Sequence, residues 1–207
     1  MKREHNIERV AEPTLWCKFD GNTDDDSPNH YTPYLLYNRQ PSYYNNQAIV
    51  GGANRCAGYT LDKFSAGDFT FYAKVYRTGN ASVAFLFTAE GQMANGDYPT
   101  VNCYFDNSGS LTLMTRLASG GTNHFTQGLN MTVPLNGWHE ILLVRENGEL
   151  RAYLDSELKS RQSFAYDMFT ANQMWLNIGN SRSYQYGSRY FRGYIDEVKY
   201  WHNTAII

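Results

Sequence analysis

The chain has 207 residues, a formal net charge of −2 and scattered Lys and Arg, which argues against nucleic acid or an anionic membrane as a partner. Aromatic residues make up 15% of it, with 17 Tyr, and charged residues only 18%, a composition of strands and adaptable polar surface rather than of helices. One large β domain fits this length, and no apolar run approaches the roughly 18 residues of a membrane span.

The opening MKREHNIERVAEP is polar and holds no apolar core of signal-peptide length, so residues 1–12 read as a short arm and 13–207 as the domain. TLWCKFDGN alternates Leu15, Cys17 and Phe19 against Trp16 and Lys18, then meets the turn signal Asp20-Gly21-Asn22, which predicts a first strand. From Thr23 to Gln47 no period is sustained, and this Pro-containing, Tyr-rich segment reads as a long loop. In GDFTFYAKVY, Phe69, Phe71, Ala73 and Val75 share one face while Thr70, Tyr72, Lys74 and Tyr76 share the other.

Two hairpins follow, TVNCYFDNSGSLTLMTRL about Asn107-Ser108-Gly109 and GWHEILLVRENGELRAYLDSE about Asn147-Gly148, because Asn and Gly accept positive φ. QMWLNIGNS and YFRGYIDEVKYW complete about a dozen short strands, which predicts an all-β antiparallel sandwich. In the last strand, strict alternation would put Ile195 and Val198 on opposite faces. Both are branched and apolar, so one extra residue at Asp196-Glu197, a β-bulge, is expected to return Val198 and Tyr200 to the side of Ile195.

The wide spacing of Cys17, Cys56 and Cys103 offers neither a disulfide framework nor a zinc site, and reduced, mostly buried thiols are expected. Asn80-Ala81-Ser82 and Asn130-Met131-Thr132 match glycosylation sequons, which carry no weight without a secretion signal.

The ordered series LWCKFDGN, GDFTFYAKVY, LNGWHEILLVRENGELRAYLDSE, WLNIGN and FRGYIDEVKYW resembles the LamG-like (laminin G type 3) branch of the concanavalin A-like lectin/glucanase jelly rolls, over nearly everything from Thr14 to Trp201. Ser156 departs from the pattern, standing where a glycine commonly follows the aspartate of the tyrosine-x-aspartate strand. The resemblance implies a jelly roll of two curved antiparallel sheets, six or seven strands each, with first and last strands adjacent. It also implies that Asp196 comes near the Phe19-Asp20-Gly21 corner, where members of this fold class often hold structural calcium.

Calcium takes six to eight oxygens. Asp20 and Asp196 are the candidate metal ligands, with Asp24, Asp25 and Asp26 nearby in sequence. The competing reading is that Asp196 only accepts amide hydrogen bonds of the bulge and that Asp24 to Asp26 form a solvated acidic turn. Catalysis is not expected: no alternating carboxylates share a strand face as a glycosidase requires, and the five His have no nucleophile-base pattern.

Sugar binding needs aromatic faces flanked by hydrogen-bonding groups, and two segments offer them. NSRSYQYGSRYFR interleaves Tyr184, Tyr186 and Tyr190 with Arg182, Arg189 and Arg192; the long loop carries Tyr43 and Tyr44 beside Asn45 and Asn46. The expectation is a non-catalytic, lectin-like module for a carbohydrate or cell-surface ligand, exposed on a virion or other extracellular assembly. Its rival is a structural decoration or docking protein anchored to a protein scaffold through the N-terminal arm.

Overall fold

Fifteen strands run through the computed structural model, which describes residues 11–35, 41–52, 57–62, 67–92, 100–116, 124–164, 173–181 and 189–206. In chain order they are β1 (Leu15–Cys17), β2 (Pro33–Leu35), β3 (Tyr43–Tyr44), β4 (Ala48–Val50), β5 (Ala57–Leu61), β6 (Phe69–Arg77), β7 (Ala84–Gln92), β8 (Thr100–Phe105), β9 (Ser110–Arg116), β10 (His124–Thr132), β11 (Trp138–Glu146), β12 (Glu149–Leu154), β13 (Glu157–Ser163), β14 (Gln173–Ile178) and β15 (Gly193–His202). Among the described residues no helix is long and apolar enough to cross a membrane.

All pairings within the strands are antiparallel, and they build two sheets packed as a jelly-roll sandwich. The first runs β13-β12-β11-β6-β15-β4-β3, with β1 also on β15; the second runs β10-β9-β8-β7-β14-β5-β2. First and last strands are adjacent as expected, Leu15 opposite Tyr200 and Cys17 opposite Val198. The predicted period-2 faces hold: Phe69, Phe71, Ala73 and Val75 of β6 meet Ile141 and Leu143 of β11 and Ile195, Val198 and Tyr200 of β15 in the buried core. Cys17 and Cys103 are buried free thiols in that core. Burial raises the pKa of both, which keeps them protonated and unreactive. Cys56 lies outside the described residues.

Within Thr23–Gln47 the structure differs from the unbroken loop that the sequence suggests, since β2 and β3 fall there. Each is only two or three residues long and pairs with one neighbour at a sheet edge, too little chain to show a period. Asp25 organises the start of this segment. Its carboxylate accepts the Trp16 N–H at 2.9 Å, the Ser27 N–H at 2.9 Å and the Tyr31 N–H at 2.8 Å, so it braces the corner instead of forming a solvated turn. Asp26 pairs with Lys18 at 3.3 Å.

The hairpin turn where Ser156 replaces glycine is closed all the same. Asp155 and Ser156 adopt φ of 50° and 67°, the left-handed pair that a two-residue β-turn demands. Asp155 is held there by the Glu140 N–H at 2.9 Å and by His139 Nδ1 at 2.8 Å. Partial burial alone would raise its pKa; the Glu140 amide and His139 outweigh it and hold the carboxyl below its ordinary range.

Candidate functional site

The register of β15 against β6 slips between Ile195 and Glu197. Asp196 is the extra residue, so Asp196 and Glu197 both emerge on the outer face of the first sheet while Ile195 and Val198 stay in the core. Two carboxylates thus stand side by side on one face, which strict alternation forbids. The Lys74 Nζ donates to Asp196 Oδ2 at 2.6 Å. Glu197 accepts the Trp16 indole N–H at 2.7 Å and pairs with Lys199 at 2.9 Å. The hydrogen bond from Lys74 to Asp196 raises the lysine's pKa against the opposing effect of burial, so its ammonium is firmly charged.

Beside this ion pair lies an open pocket of about 500 Å³ lined by Asp20, Tyr44, Asn45, Gln47, Lys74, Trp138 and Asp196. Two local structures bring the chain to it. Phe19, fully buried at φ 54°, turns the strand end so that Asp20 faces outward. Asn45 and Asn46, at φ 50° and 55°, form the tight turn from β3 to β4, closed by the Gln47 N–H on the Tyr44 carbonyl at 3.0 Å. The tip of this hairpin packs on the corner, for a Cβ on Gly21 would sit 3.6 Å from the Asn46 Cβ.

Between Tyr44 and Trp138 runs a row of four aromatic rings. Tyr44 stacks on Tyr194 with centroids 4.3 Å apart, Tyr194 meets Tyr76 at 5.7 Å, and Tyr76 meets Trp138 edge-on at 5.5 Å. Register explains the row: Trp138, Tyr76 and Tyr194 lie directly opposite one another across β11, β6 and β15. Gly193 permits that alignment, since its φ is 144° and a Cβ there would come within 1.9 Å of the Tyr76 carbonyl oxygen. Tyr44 and Trp138 remain 44% and 41% exposed, so large apolar faces stay open to solvent at both ends of the row.

A second aromatic pair, Trp16 and Tyr72, lies across the charged rung, with Lys199 Nζ 4.9 Å and 5.3 Å over their rings. Burial, then the charges of Glu140 and Glu197, raise the Tyr72 pKa, which fixes its hydroxyl as a donor.

Calcium fits this corner poorly as it stands. Asp20 and Asp196 share the pocket with the amide side chains of Asn45 and Gln47, but Asp196 is already neutralised by Lys74. Among the described residues no group of three or more His, Cys, Asp or Glu stands where it could hold a metal ion. The arrangement is an ion pair flanked by amides, and a calcium ion on these two carboxylates would have to displace the Lys74 ammonium from Asp196.

Of the residues singled out in the sequence, Tyr44, Asp20 and Asp196 come together in the pocket. Tyr43 turns the other way: it is half-buried, and its raised pKa follows from burial, offset in part by a hydrogen bond with Thr23. Tyr190 and Arg189 do not line the pocket; they run beside Phe85, whose N–H donates to the Arg189 carbonyl at 2.9 Å. The Arg192 guanidinium lies 4.2 Å over the Tyr190 ring. Arg182, Tyr184 and Tyr186 lie outside the described residues.

Trp138, Tyr76, Tyr194, Lys74 and Gln47 are the site residues that motif reasoning passed over. A signal existed in Trp138, because counting back by twos from Leu142 and Glu140 puts the indole on the solvent face of its strand.

Residues 50–205 match the Laminin G 3 family model of the concanavalin A-like lectin/glucanases superfamily. This chain belongs to that family. No curated protein matches its sequence. Among solved structures it is similar to domain 4 of an extracellular GH43 arabinanase from Geobacillus stearothermophilus, in complex with arabinotriose, with TM-score 0.68, 18% identity and 95% of each chain covered. It is also similar to the receptor binding domain of botulinum neurotoxin type G, with TM-score 0.60 and 11% identity over 95% of this chain and 49% of that one. A third is the sialidase of Trypanosoma rangeli in complex with sialic acid, with TM-score 0.61 and 11% identity over 93% of this chain and 31% of that one. At these identities the likeness shows the fold, and this laminin G type 3 domain spans half or less of the toxin and sialidase chains.

Proposed function

We propose that this laminin G type 3 domain is a non-catalytic carbohydrate-binding module whose ligand lies in the groove between Tyr44 and Trp138. The observation that carries the reading is the aromatic row ending in two exposed rings, set against the polar wall of Asp20, Asn45, Gln47, Lys74 and Asp196. Aromatic faces take the C–H surface of a sugar ring, while amides and carboxylates take its hydroxyls. The arabinanase domain's complex with arabinotriose supports the same class of ligand.

What supports binding without hydrolysis is the state of the carboxylates. A glycosidase needs one carboxyl group protonated as acid beside a second that is ionised. In this groove Asp196 is tied to Lys74, and on the adjoining rung Glu197 is tied to Trp16 and Lys199, so both serve as braces. Single-site affinity of such an open groove is weak, and attachment follows from several copies displayed together on a virion or other extracellular assembly.

The test is a glycan and surface-polysaccharide screen on the multimerised protein beside its Trp138→Ala variant. Selective binding that the variant loses supports the reading. Uniformly negative binding across the panel moves the assignment to a structural decoration or docking protein.

A further inference from the structure

We infer that the groove selects neutral oligosaccharides and rejects those carrying a carboxylate, such as sialylated or uronic-acid glycans. The inference rests on the carbohydrate-binding reading above and specifies its ligand class. Its basis is the charge inventory of the outer face of the first sheet.

An acidic sugar needs an uncommitted cation or a set of unpaired N–H donors to replace the water around its carboxylate. Among the described residues the pocket lining contains one cation, Lys74, and no arginine. Lys74 is held at 2.6 Å by Asp196, within a wall that also carries Asp20. On the adjoining rung Lys199 is held by Glu197 at 2.9 Å, and Glu140 lies beside Tyr72. Lys18, 4.3 Å over the Trp16 ring, is held by Asp26 at 3.3 Å, so among the described residues five carboxylates of this face stand against three ammonium groups, each of them paired. A ligand carboxylate entering here meets net negative potential and has to share the Lys74 ammonium with Asp196, beside Asp20.

Neutral hydroxyls face no such obstacle. Asp20, Asp196, Asn45 and Gln47 offer acceptor oxygens, the two amides add N–H donors, and a sugar hydroxyl serves either role. The aromatic row draws its rings from four strands and runs from β11 to β3 across the sheet, so the ligand that fits it is a short chain of sugar units rather than a single ring.

The experiment measures binding of the full chain, by titration calorimetry or on a quantitative array, to matched pairs of neutral oligosaccharides and the same backbones bearing sialic or uronic acid. The acidic partner is expected to bind at least about tenfold more weakly, with the gap narrowing as salt is raised. Asp20→Asn, a change at an exposed side chain, is expected to narrow the gap, while Trp138→Ala weakens both members of each pair. Acidic glycans that bind as well as or better than their neutral partners overturn the selectivity and leave the carbohydrate reading standing. Absence of binding to either class overturns that reading and this inference with it.

Discussion

The Lys74 ammonium sits 2.6 Å from the Asp196 carboxylate because one extra residue in β15 turns Asp196 outward beside Glu197. That residue also sets the parity of everything after it. Deleting Asp196 would remove the bulge and leave plain alternation, with Ile195, Val198 and Tyr200 still inward and Glu197 outward, at the loss of the partner of Lys74. The deletion variant is therefore expected to fold with its core intact, and Asp196→Ala likewise keeps the fold and loses no more than about 1 kcal/mol, the size of a half-exposed ion pair. Circular dichroism with denaturant titration on both variants checks this; a deletion variant that does not fold contradicts the role given to the bulge.

Trp138 and Tyr44 are the exposed ends of the aromatic row, and each stands 41% or more in solvent. Truncating either to alanine is expected to weaken glycan binding about tenfold, which is about 1.4 kcal/mol, while thermal midpoints stay within a few degrees of wild type. Binding assays run beside melting curves check this. Retained affinity in both variants removes the groove as the site.

Ser156 holds φ 67° in the turn from β12 to β13, a conformation that costs an L-residue on the order of 1 kcal/mol and glycine almost nothing. Ser156→Gly is therefore expected to stabilise the domain by about 0.5–1 kcal/mol without touching the groove. Chemical denaturation gives the sign directly, and a destabilised variant refutes the account of the turn.

Chelation should leave the domain's melting temperature and its binding unchanged, because Lys74 already supplies the positive charge at Asp196. The informative companion is Lys74→Met, which frees that carboxylate beside Asp20. Melting curves with calcium and with chelator on both proteins decide the matter. A chelator-sensitive wild type would make this corner a metal site.

The pH dependence has a defined sign at Asp106. The Ser108 hydroxyl lowers its pKa against the opposing effect of burial, helped by the backbone amides of Ser110, Ser108 and Gly109. Stability from this carboxylate is present above its unfolded value of about 3.9 and is lost as the pH falls through its lower folded value. Acid unfolding followed for wild type and Asp106→Asn should converge at the lowest pH and separate above about pH 4. Parallel curves throughout would show that the turn does not titrate as described.

Much of this molecule follows from local sequence. Alternation of Phe69, Phe71, Ala73 and Val75 dictates which side of β6 is buried, Asn147-Gly148 closes a hairpin, and the misplaced parity of Ile195 and Val198 requires the bulge that β15 contains. Those are short-range facts, since strand period and turn φ are properties of neighbouring residues. The groove is different in kind. Tyr44, Tyr76, Trp138 and Tyr194 come from four separate strands, and only the register of β11, β6 and β15, with the β3–β4 hairpin folded against the Gly21 corner, puts their rings in one row. Tyr43 and Tyr44 carry the same chemistry in the sequence, yet one turns toward Thr23 and the other into the pocket, because adjacent residues of a strand must face opposite ways.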